Sequence, residues 1–270
     1  MNLLELFNVC NNRRDYTTVT PENKKYEVDY KFVEDEDART LYIFFEPSDG
    51  KVDWRVNFSY WRKPYSDMET NYKVHGGYLE SWKLIDDAIG AKIAETCADG
   101  SLKWLKVVIV GYSHGGALAA LCHEYVWYHR EDLRAEGLVG ISFDGPRIYG
   151  GLVVPKALKE RWAHFYVFRN HSDIVTHLPP VLFFFRHVGT LVHIGAGKNP
   201  GWVGAHYPDK IRAGLEDFMK NGKMTVKEEI LSALDGIATT AANVAESVRN
   251  LDPSDVRDKI ESIVDTIKGE

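Results

Sequence analysis

The clearest feature of the chain is a switch of period at residues 107–126, VVIVGYSHGGALAALCHEYV. An unbroken apolar run turns on Gly-Tyr-Ser-His-Gly-Gly and resumes with small and apolar residues at helical spacing, which predicts a buried strand, a tight turn and a helix. RTLYIFFEP, from Arg39, is a β-branched and aromatic run stopped by Pro47, Ser48, Asp49 and Gly50, and reads as a strand. DWRVNFSYW, from Asp53, alternates as a second strand. From Gly77 to about Ala98, apolar residues recur at three-to-four spacing and predict one amphipathic helix. GLVGISFDGPR, HFYVFRN and TLVHIG supply further strands, and helices are expected around Pro155 to Arg161 and Gly204 to Lys220. A short amphipathic helix is expected at the N-terminus. Strands alternating with helices predict an α/β architecture, a mainly parallel central sheet with helices on both faces, whose site lies beyond the C-terminal strand ends.

After Gly222 the pattern changes. Ile230, Leu234, Ile237, Ala241, Val244, Val248 and Leu251 follow a four-three repeat, Asp252 and Pro253 break and restart the chain, and Val256, Ile260, Ile263 and Ile267 continue it. A main domain, 1–222, and a helical C-terminal appendage of two helices, 223–270, follow. The appendage reads as a docking surface or a homodimer contact rather than a membrane-binding element, because its polar face is not rich in Lys or Arg.

Composition narrows the partners. A formal net charge of -6 without a Lys/Arg cluster argues against nucleic acid. Cys10, Cys97 and Cys122 are odd in number and far apart, which suggests neither a disulfide framework nor a zinc site, and they read as reduced core thiols. The N-terminal run is short, interrupted by Glu5 and without a basic region, and nothing approaches 18 consecutive apolar residues. A cytoplasmic setting is the expectation.

The turn carries the candidate chemistry. Gly111 and Gly115 flank Ser113 as in the nucleophile elbow G-x-S-x-G, where strand meets helix so sharply that only small side chains fit beside the serine. A serine nucleophile needs a base, and the base an orienting carboxylate, here in the order Ser, Asp, His on loops after later strands. Asp173, after HFYVF, is the better placed acid. Asp144 is its rival, but follows the first strand after the serine, where Gly145-Pro146 reads as a turn beneath the site. Among ten histidines, His206 suits the base, standing in a Gly-rich loop after the last strand. The backbone N–H of His114 is the expected first oxyanion-hole donor. Ser48 is the candidate for the second, against its reading as an ordinary turn serine.

From about Leu41 to Lys220 these residues resemble the class 3 lipase family of α/β hydrolases. KVHGGYLESW is similar to that family's V-H-x-G-F segment, GYSHGGALA to its G-H-S-L-G-G-A-L-A, FDGPRIYG to F-G-x-P-R-V-G, DIVTHLPP to D-x-V-P-x-L-P-P, and FFFRHVG to the aromatic-x-H-V-G stretch that follows. The resemblance implies an α/β-hydrolase fold with Ser113, Asp173 and His206 as the catalytic triad. It also implies Ser48 at the oxyanion position, substrate-binding positions at His75, Tyr112 and Trp54, and a lid at Gly50 to Phe58. The chain departs from the family at Glu46 and Pro47 for Arg-Gly, at Tyr112 and His114 around the nucleophile, at Asp144 for a glycine and at Thr176 for a proline.

The expectation is serine-dependent hydrolysis of a carboxylic ester of a lipid, an acylglycerol or phospholipid, with transient contact to a lipid interface and no metal or organic cofactor. Phe183, Phe184 and Phe185 could line an acyl pocket or simply form a core strand. An alternative of another class is an interaction protein that keeps the fold without the chemistry.

Overall fold

The computed structural model describes residues 1–22, 27–46, 61–65, 72–222 and Ile230. Helix α1 (Leu3–Asn11) begins with a reciprocal cap. The Asn2 side chain accepts from the Glu5 N–H, and the Glu5 carboxylate accepts from the Asn2 N–H. Leu3, Leu6, Phe7 and Cys10 form its buried face, as the expected amphipathic helix requires.

Next come β1 (Thr17–Val19), β2 (Val28–Asp35), β3 (Thr40–Phe45), β4 (Arg62–Pro64) and β5 (Lys73–His75). The single helix expected from Gly77 to Ala98 is two, α2 (Gly76–Trp82) and α3 (Asp86–Ile93). Three-residue turns join them, Leu84 N–H to Ser81 C=O and Ile85 N–H to Trp82 C=O. The turn preserves the apolar register, so Leu79, Trp82, Ile85, Ile89 and Ile93 still enter one core, and the periodicity alone could not show the break.

The remaining elements are β6 (Lys106–Tyr112), α4 (His114–His129), β7 (Leu138–Phe143), β8 (Tyr149–Gly150), α5 (Lys156–Arg161), β9 (Phe165–Asn170), β10 (Phe185–Arg186), β11 (Thr190–Ile194) and α6 (Pro208–Asn221). Among the described residues seven strands form one sheet in the order β1-β2-β3-β6-β7-β9-β11. From β3 onward every pairing is parallel, while β1 and β2 add an antiparallel edge absent from the sequence reading. A second, antiparallel sheet, β10-β8-β5-β4, was likewise not expected; its strands are two or three residues long and have no legible period.

Alternation along the strands divides the interior. Leu41, Ile43 and Phe45 of β3 join Val107 and Ile109 of β6 under α2, α3 and α4. Tyr42 and Phe44 join Val108, Val110 and Tyr112 on the other face, covered by α1 and α6. The mainly parallel sheet with helices on both faces is therefore as expected. Phe185 is buried, but Phe183 and Phe184 are exposed, so the three phenylalanines are not one core strand.

By its internal contacts the chain divides into Met1–Gly236 and Ile237–Glu270, where Gly222 was expected as the boundary. Ile230 is fully buried in the core beside α1 and α6. The other seam residues of the expected appendage lie outside the described residues, as do Ser48, Trp54, the expected lid at Gly50 to Phe58 and the strand expected from Asp53 except Trp61. Cys97 is half-buried rather than in the core, and all three cysteines are free.

Candidate active site

Strand β6 enters the site and α4 leaves it, with Ser113 at the junction at φ +55° and ψ -123°. That backbone conformation is strained for a residue with a side chain, and the surrounding packing imposes it. A Cβ on Gly111 would stand 2.0 Å from the Gly115 carbonyl oxygen, one on Gly115 2.3 Å from that of Phe45, and one on Gly116 2.3 Å from Ser142 Oγ. Only glycine lets the helix cross the sheet this closely. The Ser113 N–H donates to the Phe143 carbonyl at 2.9 Å and anchors the turn to β7. His114 is the first residue of α4, where helical N–H groups have no partner within the helix. Its ring is buried against Tyr78, edge to face at 5.2 Å, and burial pushes its pKa down to about 4.

Asp173 follows β9 and is fully buried. Its Oδ1 accepts from the Val175 N–H at 2.8 Å, and its backbone carbonyl accepts from Thr176 Oγ1 at 2.8 Å. His206 ends a short turn, Gly204–His206, fixed from behind by Pro208 at the start of α6. Nδ1 of His206 lies 2.5 Å from Asp173 Oδ2, and Nε2 lies 2.8 Å from Ser113 Oγ. An ionised carboxylate only accepts, so Nδ1 carries the proton and Nε2 is left to accept from the serine hydroxyl. The imidazole is a fifth exposed while the carboxylate behind it is dry. Three residues 93 and 33 positions apart thus form one hydrogen-bonded line with its serine end at the sheet's C-terminal edge.

The other predicted positions divide differently. Tyr112, expected at the substrate, points into the core: its ring packs edge to face on Phe7 at 5.6 Å, and its hydroxyl donates to the His206 backbone carbonyl. The side chain of a residue beside the elbow serine must face the opposite side of the strand, which here is the α1 layer. His75 is also buried rather than substrate-facing. It caps α2, with Nδ1 accepting from the Tyr78 N–H at 3.4 Å, and stacks on Tyr78 at 4.2 Å. Ser48 and Trp54 are outside the described residues.

Sequence reasoning missed Asn170. Its side-chain amide donates to the Ala205 carbonyl at 2.8 Å, holding the base loop to β9, while its backbone N–H donates to Asp144 Oδ1 at 2.7 Å. An asparagine closing a strand that opens with four apolar residues, Phe165 to Phe168, was the available signal. Arg147 ties the loop after Asp173 in place, donating to the carbonyls of His177 and Pro179. His187 Nε2 lies 2.8 Å from the Thr176 carbonyl, and burial pushes the imidazole pKa down to about 4, so it is the neutral ring that donates there.

Asp144, Asp173 and His206 are the one group of three or more His, Cys, Asp or Glu side chains among the described residues that offer ligand atoms within 4.8 Å of one another. An ion there would have to displace the hydrogen bond between His206 and Asp173, since ligands on a common metal stand farther apart than 2.5 Å.

A strained serine elbow, an aligned histidine and a buried acid on a mainly parallel sheet define a Ser-His-Asp site on an α/β-hydrolase fold. The profile of the class 3 lipase family matches residues 42–183, and the chain belongs to that family. It is 27% identical over 197 residues to a lipase of Rhizomucor miehei, covering 72% of this chain and 50% of the relative. It is 30% identical over 139 residues to the secreted mono- and diacylglycerol lipase 1 of Fusarium solani, covering 50% of this chain and 38% of the relative. The chain therefore spans half or less of the length of these relatives. Lipase II of Rhizopus niveus shares the fold with a TM-score of 0.55 at 21% identity, over 74% of this chain and 77% of that one.

Proposed function

We propose that the chain hydrolyses carboxylic esters of lipids through an acyl-enzyme. Ser113 Oγ attacks the ester carbonyl as His206 Nε2 takes its proton. Asp173 holds the imidazole and balances the imidazolium that forms. The same nitrogen then protonates the departing alkoxide. Water enters, loses a proton to His206, and releases the acid. Backbone N–H groups at the start of α4, His114 first, face the developing oxyanion, the term that contributes most to the rate in such sites.

The single observation that carries this reading is the unbroken hydrogen-bonded line from Ser113 through His206 to Asp173. A lipid rather than a small polar ester is supported by exposed apolar side chains on the loops that carry the acid and the base. Val181, Leu182, Phe183 and Phe184 follow Asp173, and Trp202 and Val203 precede His206. Exposed apolar groups in such number mark a surface that meets an apolar partner. A cytosolic setting belongs to the same proposal, supported by three unpaired thiols.

A fluorophosphonate probe should label the protein and fail to label Ser113→Ala. Turnover of p-nitrophenyl esters of increasing chain length, soluble and then emulsified, should rise with acyl length. Absence of labelling in the folded protein removes the proposal, and activity confined to the shortest soluble esters removes its lipid part.

A further inference from the structure

Asp144 stands where the family segment has glycine, and the proposed reaction leaves its carboxyl without a role. It is the first residue after β7, at φ +46°, and its N–H donates to the Phe168 carbonyl at 2.8 Å, which locks it between β7 and β9. The side chain is fully buried. Oδ1 accepts from the Asn170 N–H at 2.7 Å, while Oδ2, equally buried, has no hydrogen-bond donor among the described residues. One oxygen of its carboxyl, one of the Asp173 carboxyl and one ring nitrogen of His206 all lie within 4.8 Å of one another.

Two carboxylates this close and this dry cannot both be ionised, so the site holds a proton between them. Which one carries it follows from their partners. Asp173 accepts from the Val175 N–H and from His206, whereas Asp144 accepts from one backbone N–H. The other charged and titratable groups facing the pair are His206 on the base loop, Arg169 on β9 and Tyr112 on β6. The Tyr112 hydroxyl is committed to the His206 carbonyl and cannot serve as the missing donor. Burial, then the charge of Asp173, then the hydrogen bond to it raise the Asp144 pKa well above the carboxylate range.

We propose that Asp144 is protonated in the working protein and donates its hydrogen bond to Asp173, making the acid arm of the site a carboxyl–carboxylate pair with one negative charge and Asp144 the residue that positions Asp173. The proposal rests on the serine hydrolase reading above. In it Asp173 is held by three donors, so its angle to His206 Nδ1 is fixed.

The experiment compares wild type, Asp144→Asn, Asp144→Ala and Ser113→Ala in the full chain. Asparagine can keep both contacts, its carbonyl accepting from Asn170 and its amide donating to Asp173. Alanine keeps neither. On a soluble p-nitrophenyl ester the Asn variant should keep kcat within about threefold of wild type, and the Ala variant should lose about ten- to a hundredfold in kcat at unchanged KM, the range for a lost hydrogen bond to a charged group. Difference infrared spectra in H2O and D2O at pH 7 should show a protonated-carboxyl C=O band in wild type that is absent from Asp144→Asn. If the Ala variant does not fold, the Asn variant and the spectrum decide. An Asn variant tenfold or more slower than wild type, or a wild-type spectrum without that band, overturns the pair. Full turnover in Ser113→Ala would instead overturn Ser113 as the nucleophile of the proposed reaction, and the band would still report the pair.

Discussion

His123 is a buried imidazole on α4, ten residues beyond the serine, about 15 Å along the helix at 1.5 Å per residue. It is almost wholly buried, meets Phe165 edge to face at 5.4 Å, and neither ring nitrogen has a hydrogen-bond partner among the described residues. Burial, and next the charge of His164, push its pKa down from 6.5 to about 3. A folded value below the unfolded one means that protons bind the unfolded chain first. The stability is whole above pH 6.5 and is lost as the pH falls from there toward 3. At one pKa unit per about 1.4 kcal/mol, the 1.5 units between pH 6.5 and pH 5 cost about 2 kcal/mol. At neutral pH the penalty is the unsatisfied ring, about 1–3 kcal/mol. His123→Leu, similar in volume and without polar atoms, should therefore stabilise by about 1–3 kcal/mol at pH 7 and by about 2 kcal/mol more at pH 5. Urea unfolding of both proteins at the two pH values reads this as a shift in midpoint at unchanged slope. An identical gain at pH 7 and pH 5 would refute the claim that the imidazole is held neutral, and a loss at pH 7 would refute the unsatisfied nitrogens.

Three other outcomes are expected. Gly115→Ala drives a Cβ onto the Phe45 carbonyl, a backbone atom that cannot swing away; it should destabilise by about 1–3 kcal/mol and abolish ester turnover, measured by thermal melting and initial rates. Tyr112→Phe keeps the ring but loses the hydrogen bond to the His206 carbonyl; it should cost about 1 kcal/mol in stability and lower kcat severalfold, and unchanged kinetics would remove Tyr112 from the support of the base. A chain ended at Gly236 should melt close to the full chain, whereas one ended at Gly222 should lose about 1.5–3 kcal/mol, the worth of one buried isoleucine, because Ile230 is in the core; light scattering of the same chains tests whether the tail is the homodimer contact that its heptad spacing allows.

The local elements were legible because their causes are local. Apolar runs bounded by turn residues marked β3, β6, β7, β9 and β11, since the central strands are buried on both faces, and helical spacing marked α1 and α4. Gly111, Ser113 and Gly115 announced the elbow because a strained φ and a crossing this close leave no other residues sterically acceptable. Chain order and loop position were enough to bring out Asp173 and His206. Tertiary structure alone decided the rest. The α2–α3 break was hidden because the turn keeps the apolar register, and β1 and the small sheet because strands of two or three residues carry no period of their own; β2, eight residues long with Val28, Tyr30 and Phe32 alternating with polar neighbours, carried a period that went unread. Tyr112 and His75, substrate positions by the family resemblance, turned inward, because a strand alternates sides and a cap faces its helix. The pairing of Asp144 with Asp173 joins residues 29 apart in the chain through the parallel register of β7 and β9. No pattern along the chain encodes which strand ends will stand side by side; that is set when the sheet closes and two buried carboxyls are left to share one proton.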